Sequence, residues 1–152
     1  MIKASELRIG NFISDDDGVL AKIIGFAPFD HSDRCDEEEG CKLLVDCYHA
    51  NGSRRSGCET NSPECKPIPL TPEWMERCGG KKNKGTPFYC IDMPSNIGEI
   101  HINPDNGIIW LRHHSNEYTA LNPYSGSAEY FLHQLQNLYH ALTGEELQIK
   151  MP

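Results

Sequence analysis

The chain has 152 residues, 38% of them hydrophobic, the length of one ordinary domain or two very small ones with apolar content for a modest core. Its 22 acidic against 14 basic side chains leave a formal charge of -8, which repels a phosphate backbone unless the basic residues gather on one face. No apolar run approaches the roughly 20 residues that a spanning helix needs, and the opening Met1-Ile2-Lys3-Ala4-Ser5-Glu6 lacks the basic-then-apolar plan of a signal peptide, so the expected location is cytoplasmic and no membrane partner is expected.

Leu7 to Ile13 alternates apolar with other residues and reads as a strand; Asp15-Asp16-Asp17-Gly18 supplies a turn, and Val19 to Phe26 reads as the returning strand. The aspartate run lacks the later glutamate and the ligand ladder of a calcium hand, so it reads as a solvated turn. Residues 27–41 are poor in aliphatic side chains and carry Asp36-Glu37-Glu38-Glu39, a pattern suited to an exposed acidic loop. A third strand, Lys42 to His49, meets the tight-turn pair Asn51-Gly52 and a short polar return with Arg54 and Arg55. Residues 1–66 thus form a strand-rich half, for which a small twisted sheet and a barrel of the SH3 type are the two closures the pattern allows.

Residues 67–80 read as a connector and a short helix. Pro67-Ile68-Pro69-Leu70 is too rich in proline for a central strand. Thr71 then supplies a helix cap, Pro72 the first helical position, Glu73 a charge that suits the positive helix end, and Gly79 the stop. The helix is short, so Trp74 with Met75 or Cys78 is expected to dock it. In residues 81–152 a basic turn, Lys81 to Gly85, precedes strands at Phe88 to Met93, Gly98 to Asn103 and Gly107 to His113, with Tyr118 to Leu121 as a fourth. Ser127 is expected to cap a helix over about Ala128 to Leu142, whose stripe of Phe131, Leu135, Leu138 and Leu142 covers the meander and whose end is set by Gly144. The fold class is therefore α+β: a strand-rich N-terminal half and an antiparallel meander covered by a C-terminal helix, both halves sharing one core.

Three segments are distinctive together: Glu6 to Asn11, Pro67 to Trp74, and His133 to Tyr139 running on to Ala141 to Leu147. On these the chain resembles a family of uncharacterised proteins encoded by phages and prophages of gut Bacteroidetes. The resemblance implies an accessory role in a phage or mobile element and brings with it no catalytic or binding residue.

If the Asn106-Gly107 turn sets the hairpin, Asp105 faces Ile108, Asn103 faces Trp110 and His101 faces Arg112. Ile100, Ile102, Ile109 and Leu111 then share the core face. Glu99, His101, Asn103, Trp110 and Arg112 share the other, an aromatic anchor among polar groups, as in many interface hot spots. The ordinary alternative is a Trp110 covered by the first half of the chain or by the 118–124 loop. The leading functional expectation is a non-enzymatic accessory protein that recognises another protein through the Trp110 face or the acidic surface. A nucleic-acid module is the second, using Arg54, Arg55, Lys66, Lys81, Lys82 and Lys84 as phosphate contacts, and it requires those clusters to converge.

The third reading is an enzyme or zinc protein built on the cysteine and histidine set. The seven cysteines, at 35, 41, 47, 58, 65, 78 and 90, are odd in number, which argues against a disulfide framework. Five fall between Cys35 and Cys65 near His31 and His49, yet none has the C-x2-C or C-x4-C spacing of a metal knuckle, so buried thiols and no metal or cofactor are expected. No nucleophile motif or phosphate loop is present; Gly79-Gly80-Lys81-Lys82 ends a helix instead of opening one. On the last helix His133, Gln136, Asn137 and His140 lie opposite the apolar stripe and are expected on a solvated face, with contact between copies of the chain as the alternative.

Overall fold

In a computed structural model of the chain, residues 2, 4–15, 17–27, 42–61, 65–94, 97–121 and 129–151 are described. The acidic loop 27–41, apart from Ala27 itself, lies outside them, as do His31, Cys35, Cys41 and the cap expected at Ser127. The chain is α+β, with two antiparallel sheets of four and five strands and a C-terminal helix. It divides into two compact units, Met1–Ile68 with Leu132–Asn137 and Met151–Pro152, and Pro69–Phe131 with Leu138–Lys150. Among the described residues, no helix is long and apolar enough to cross a membrane.

In the first unit, strands β1 (Phe12–Ser14), β2 (Leu20–Ala27), β3 (Lys42–Tyr48) and β4 (Arg54–Asn61) lie in sequence order, each antiparallel to the next. The sheet is open: β1 and β4 form its two edges, so the SH3-type barrel does not close. Leu43, Val45 and Cys47 alternate inward along β3, and with Ile13, Ala21 and Ile23 they make the core of this unit, which Ile2, Leu7 and Cys65 complete. The alternation from Leu7 to Ile13 is strand only at its end. Ala4–Glu6 is a 3-10 turn, Gly10 takes φ 95, and the Asn11 side chain accepts from Arg8 N at 2.8 Å, so a turn interrupts the pattern and leaves Ile9 exposed. The β3–β4 hairpin does reverse at Asn51-Gly52, but through three residues: His49 N donates to Ser53 O at 2.9 Å and Gly52 N to His49 O at 2.8 Å, and Gly52, φ 77, is left-handed where Asn51 is not.

The second unit opens with α1 (Pro72–Arg77), capped by Thr71 Oγ1 accepting from Trp74 N at 3.3 Å and stopped at Gly79, φ 78. Met75 and Cys78 are buried and dock it, while Arg77 lies over the Trp74 ring. Lys81 and Lys82 form a short strand, β5 (Lys81–Lys82), where only a turn was expected, because the reversal over 83–86 with Gly85 at φ 78 pairs them with Cys90 and Tyr89. β6 (Tyr89–Asp92), β7 (Gly98–Asn103), β8 (Ile108–His113) and β9 (Tyr118–Ala120) complete the meander. Tyr89, Ile91, Ile100, Ile102, Ile109 and Leu111 are its buried face.

The helix α2 (Leu132–Thr143) begins later than 128 and ends where Gly144, φ 74, donates to His140 O at 2.8 Å. Its first six residues belong to the first unit and the rest to the second. The solvated face expected for its polar residues is not observed there: His133 and Gln136 are each 1% exposed. Gln136 is buried because it serves the backbone of the β1 entry, Oε1 accepting from Phe12 N at 2.8 Å and Nε2 donating to Gly10 O at 2.9 Å. Asn137 is tied likewise, accepting from Asn11 Nδ2 at 3.0 Å and donating to Glu6 O at 2.8 Å.

Candidate functional site

The β7–β8 hairpin turns through four residues, not two. Gly107 N donates to Asn103 O at 2.9 Å, Gly107 takes φ 66, and Asn106 stays out of the left-handed region that a two-residue Asn-Gly turn would demand. Each residue of β7 therefore meets the residue of β8 two places before the one expected: Glu99 faces Arg112, His101 faces Trp110 and Asn103 faces Ile108. A shift of two keeps every side chain on its expected face. The predicted set Glu99, His101, Trp110 and Arg112 does come together, and β6 adds Cys90, directly opposite His101, to the same side.

These side chains form a continuous polar relay. Cys90 Sγ lies 3.4 Å from His101 Nδ1, and His101 Nε2 lies 2.9 Å from Glu99 Oε2. Arg112 Nη1 donates to that same carboxylate oxygen at 3.1 Å, while its Nη2 donates to Asn116 Oδ1 at 2.7 Å. Asn116 sits at φ 62 in the turn that follows β8, a left-handed conformation that asparagine tolerates better than most residues. His101 and Arg112 together hold the Glu99 carboxyl below its ordinary range, the hydrogen bond from His101 being the larger cause. Cys90 is pushed upward, first by burial and then by the charge of Glu99, so its sulfur is a thiol and not an activated thiolate.

Beside the relay is a pocket of about 290 Å3 lined by Asn83, Thr86, Phe88, His101, Trp110 and Tyr118. Tyr118 meets the His101 ring edge to face, the centroids 5.6 Å apart. A smaller, polar depression of about 130 Å3 lies at Gly98, Glu99, Arg112, His113, His114 and Asn116. The face is less open than a bare alternation suggests, since His101 and Asn103 are each only 6% exposed and Trp110 is half-buried. Asn103 is committed to the hairpin, its Oδ1 accepting from Asp105 N at 3.1 Å.

The basic residues divide. Arg54, Arg55 and Lys66 belong to the first unit, Lys81, Lys82 and Lys84 to the second. Arg54 pairs with Asp46 at 2.6 Å and Lys81 with Asp92 at 2.8 Å, so in each cluster one charge is already answered by a carboxylate. Cys47, Cys65 and Cys78 are buried thiols, and burial pushes the Cys78 thiol up to about 12.

Phe88, Cys90 and Tyr118 escaped the sequence reading of the site. Their strands were expected, but the loop between β6 and β7 carries no signal that fixes register, so nothing in the sequence set Cys90 opposite His101. Compared with protein-family models, curated proteins and solved structures, the chain matches none of them.

Proposed function

We propose that the protein is a recognition module, and that its second unit holds a partner polypeptide by taking an aromatic side chain into the pocket between Phe88, Trp110 and Tyr118. The supporting observation is the state of the His101 ring. Its Nδ1 is engaged with Cys90 and its Nε2 with Glu99, so the ring lines the pocket without offering a hydrogen bond. A pocket so lined selects by apolar surface and ring shape, with Asn83 and Thr86 as its polar contribution. Aromatic groups packed on aromatic walls gain about 0.5–1.5 kcal/mol per pair beyond the area they bury. Tryptophan and tyrosine are also the residues in which interface energy concentrates. The resemblance to phage proteins implies an accessory role, with which such a recognition module is compatible.

The test is an NMR titration of the full chain with blocked tripeptides carrying tryptophan, phenylalanine, leucine or lysine at the centre. The expected result is amide shifts clustered at Phe88, His101, Trp110 and Tyr118 with the aromatic peptides, absent with lysine and lost in Trp110→Ala. Scattered shifts, or equal shifts with the lysine peptide, would overturn the reading.

A further inference from the structure

Cys90 and His101 are cross-strand partners, with Sγ 3.4 Å from Nδ1. A tetrahedral zinc ion with Zn–S of about 2.3 Å and Zn–N of about 2.0 Å holds sulfur and nitrogen roughly 3.5 Å apart. The two atoms thus already stand at the separation that one zinc ion imposes. We propose that Cys90 Sγ and His101 Nδ1 bind a single Zn2+, with Glu99 fixing the imidazole from its far side.

The rest of the relay supports that assignment. The Glu99 carboxylate can only accept, so it takes a hydrogen bond from His101 Nε2–H, which leaves Nδ1 unprotonated beside Cys90 and available to a metal. This is the carboxylate–histidine arrangement found behind metal-bound imidazoles, where the outer carboxylate sets the tautomer and raises ligand basicity. Arg112, donating to the same oxygen, holds that carboxylate in place. Cys90, Glu99 and His101 also form the cluster, among the described residues, whose donor atoms lie within 4.8 Å of one another. His101 is 6% exposed, so its place beside the sulfur is not that of a mobile surface ring.

The protonic balance is simple. The thiol hydrogen that lies between Sγ and Nδ1 leaves to solvent, and the metal takes its place, since a coordinating thiol is deprotonated outright. Two positions of the tetrahedron remain for water or for a donor brought by a ligand. With two protein ligands the site is a weak, exchangeable one, unlike a four-ligand structural zinc. Nearby Lys81 is held by Asp92, and the Arg112 charge is answered by Glu99, so neither cation is left uncompensated beside the ion.

The experiment is a titration of the reduced full chain with Co2+, followed by competition with Zn2+, and it uses no peptide, so its outcome is independent of what fills the pocket. The wild type is expected to bind one ion per chain in native mass spectra, with a sulfur-to-cobalt charge-transfer band that Zn2+ abolishes. Cys90→Ser and Cys90→Ala lose the band while keeping the thermal transition. Glu99→Gln retains it with binding about 10- to 100-fold weaker, as loss of an outer carboxylate does. A band that survives in both Cys90 variants would assign the metal to other cysteines, and its absence from the wild type would remove the site; either result overturns the proposal.

Discussion

His101 and Trp110 face each other directly across the β7–β8 ladder, on the side of the sheet away from its aliphatic layer. The pairing makes Trp110 a wall of the pocket and His101 its neighbour, so the two are read by any ligand together. Trp110 is half-buried, and its truncation forfeits packing worth about 1–2 kcal/mol. Trp110→Ala should therefore lower the thermal midpoint by several degrees while leaving one cooperative transition, and it should remove aromatic-peptide binding. Loss of the transition itself would make Trp110 a core residue and sink the binding role.

Gly98 opens β7 at φ 131, and a Cβ built there would stand 1.9 Å from Arg112 O. Neither the backbone conformation nor the space accepts a side chain, and the obstructing atom is backbone, which cannot swing aside. Gly98→Ala should cost about 3 kcal/mol, near the upper end for a point substitution, and should displace the Arg112 backbone that supports the Glu99 contact. Denaturant unfolding measures the first effect. A cost under about 1 kcal/mol would show that the strand entry relaxes freely.

How much of this was legible before the structure depends on the range of the signal. The helix over 72–77 was readable because threonine, proline and glycine each act on their immediate neighbours, and the strand faces were readable because alternation has a period of two. The expected register failed at Asn106-Gly107 because the same dipeptide serves a two-residue turn and the end of a four-residue one. The faces survived that error only because the shift was even. Leu7 to Ile13 misled for a related reason, since alternation says nothing of a glycine at φ 95 within it. Cys90 was missed because its partner is set by the β6–β7 pairing, and His133 and Gln136 because a helix face is polar or buried according to what is brought against it.

Gln136 shows the stake of such burial. Its amide satisfies Phe12 N and Gly10 O at once, and both backbone groups lie where the chain enters β1. Gln136→Leu roughly keeps the volume and removes both partners, leaving a buried donor, which costs about 1–3 kcal/mol, and a part-buried acceptor, which costs less. The expected loss is about 3 kcal/mol in urea unfolding with an unchanged slope. A variant as stable as the wild type would mean that water replaces the amide at both groups.

His133 gives the fold a pH dependence whose direction follows from its burial. Removal from water lowers its pKa below the ordinary 6.5, and Glu6, with a carboxylate oxygen 3.9 Å from Nε2, offsets that only in part. In the unfolded chain the imidazole titrates near about 6.5. Between the lowered native value and that point the unfolded state binds more protons, so stability rises with pH through this window and levels off above about pH 7. Below the native value the whole of this loss is in force. The thermal midpoint should therefore fall as pH is lowered from 7.5 toward 5.5, and His133→Gln, which cannot take up the proton, should lack that part of the fall. Plotted against pH, the difference in midpoint between wild type and variant should shrink or change sign on the acid side. A difference that stays constant across the window would show that His133 exchanges its proton as freely in the fold as outside it.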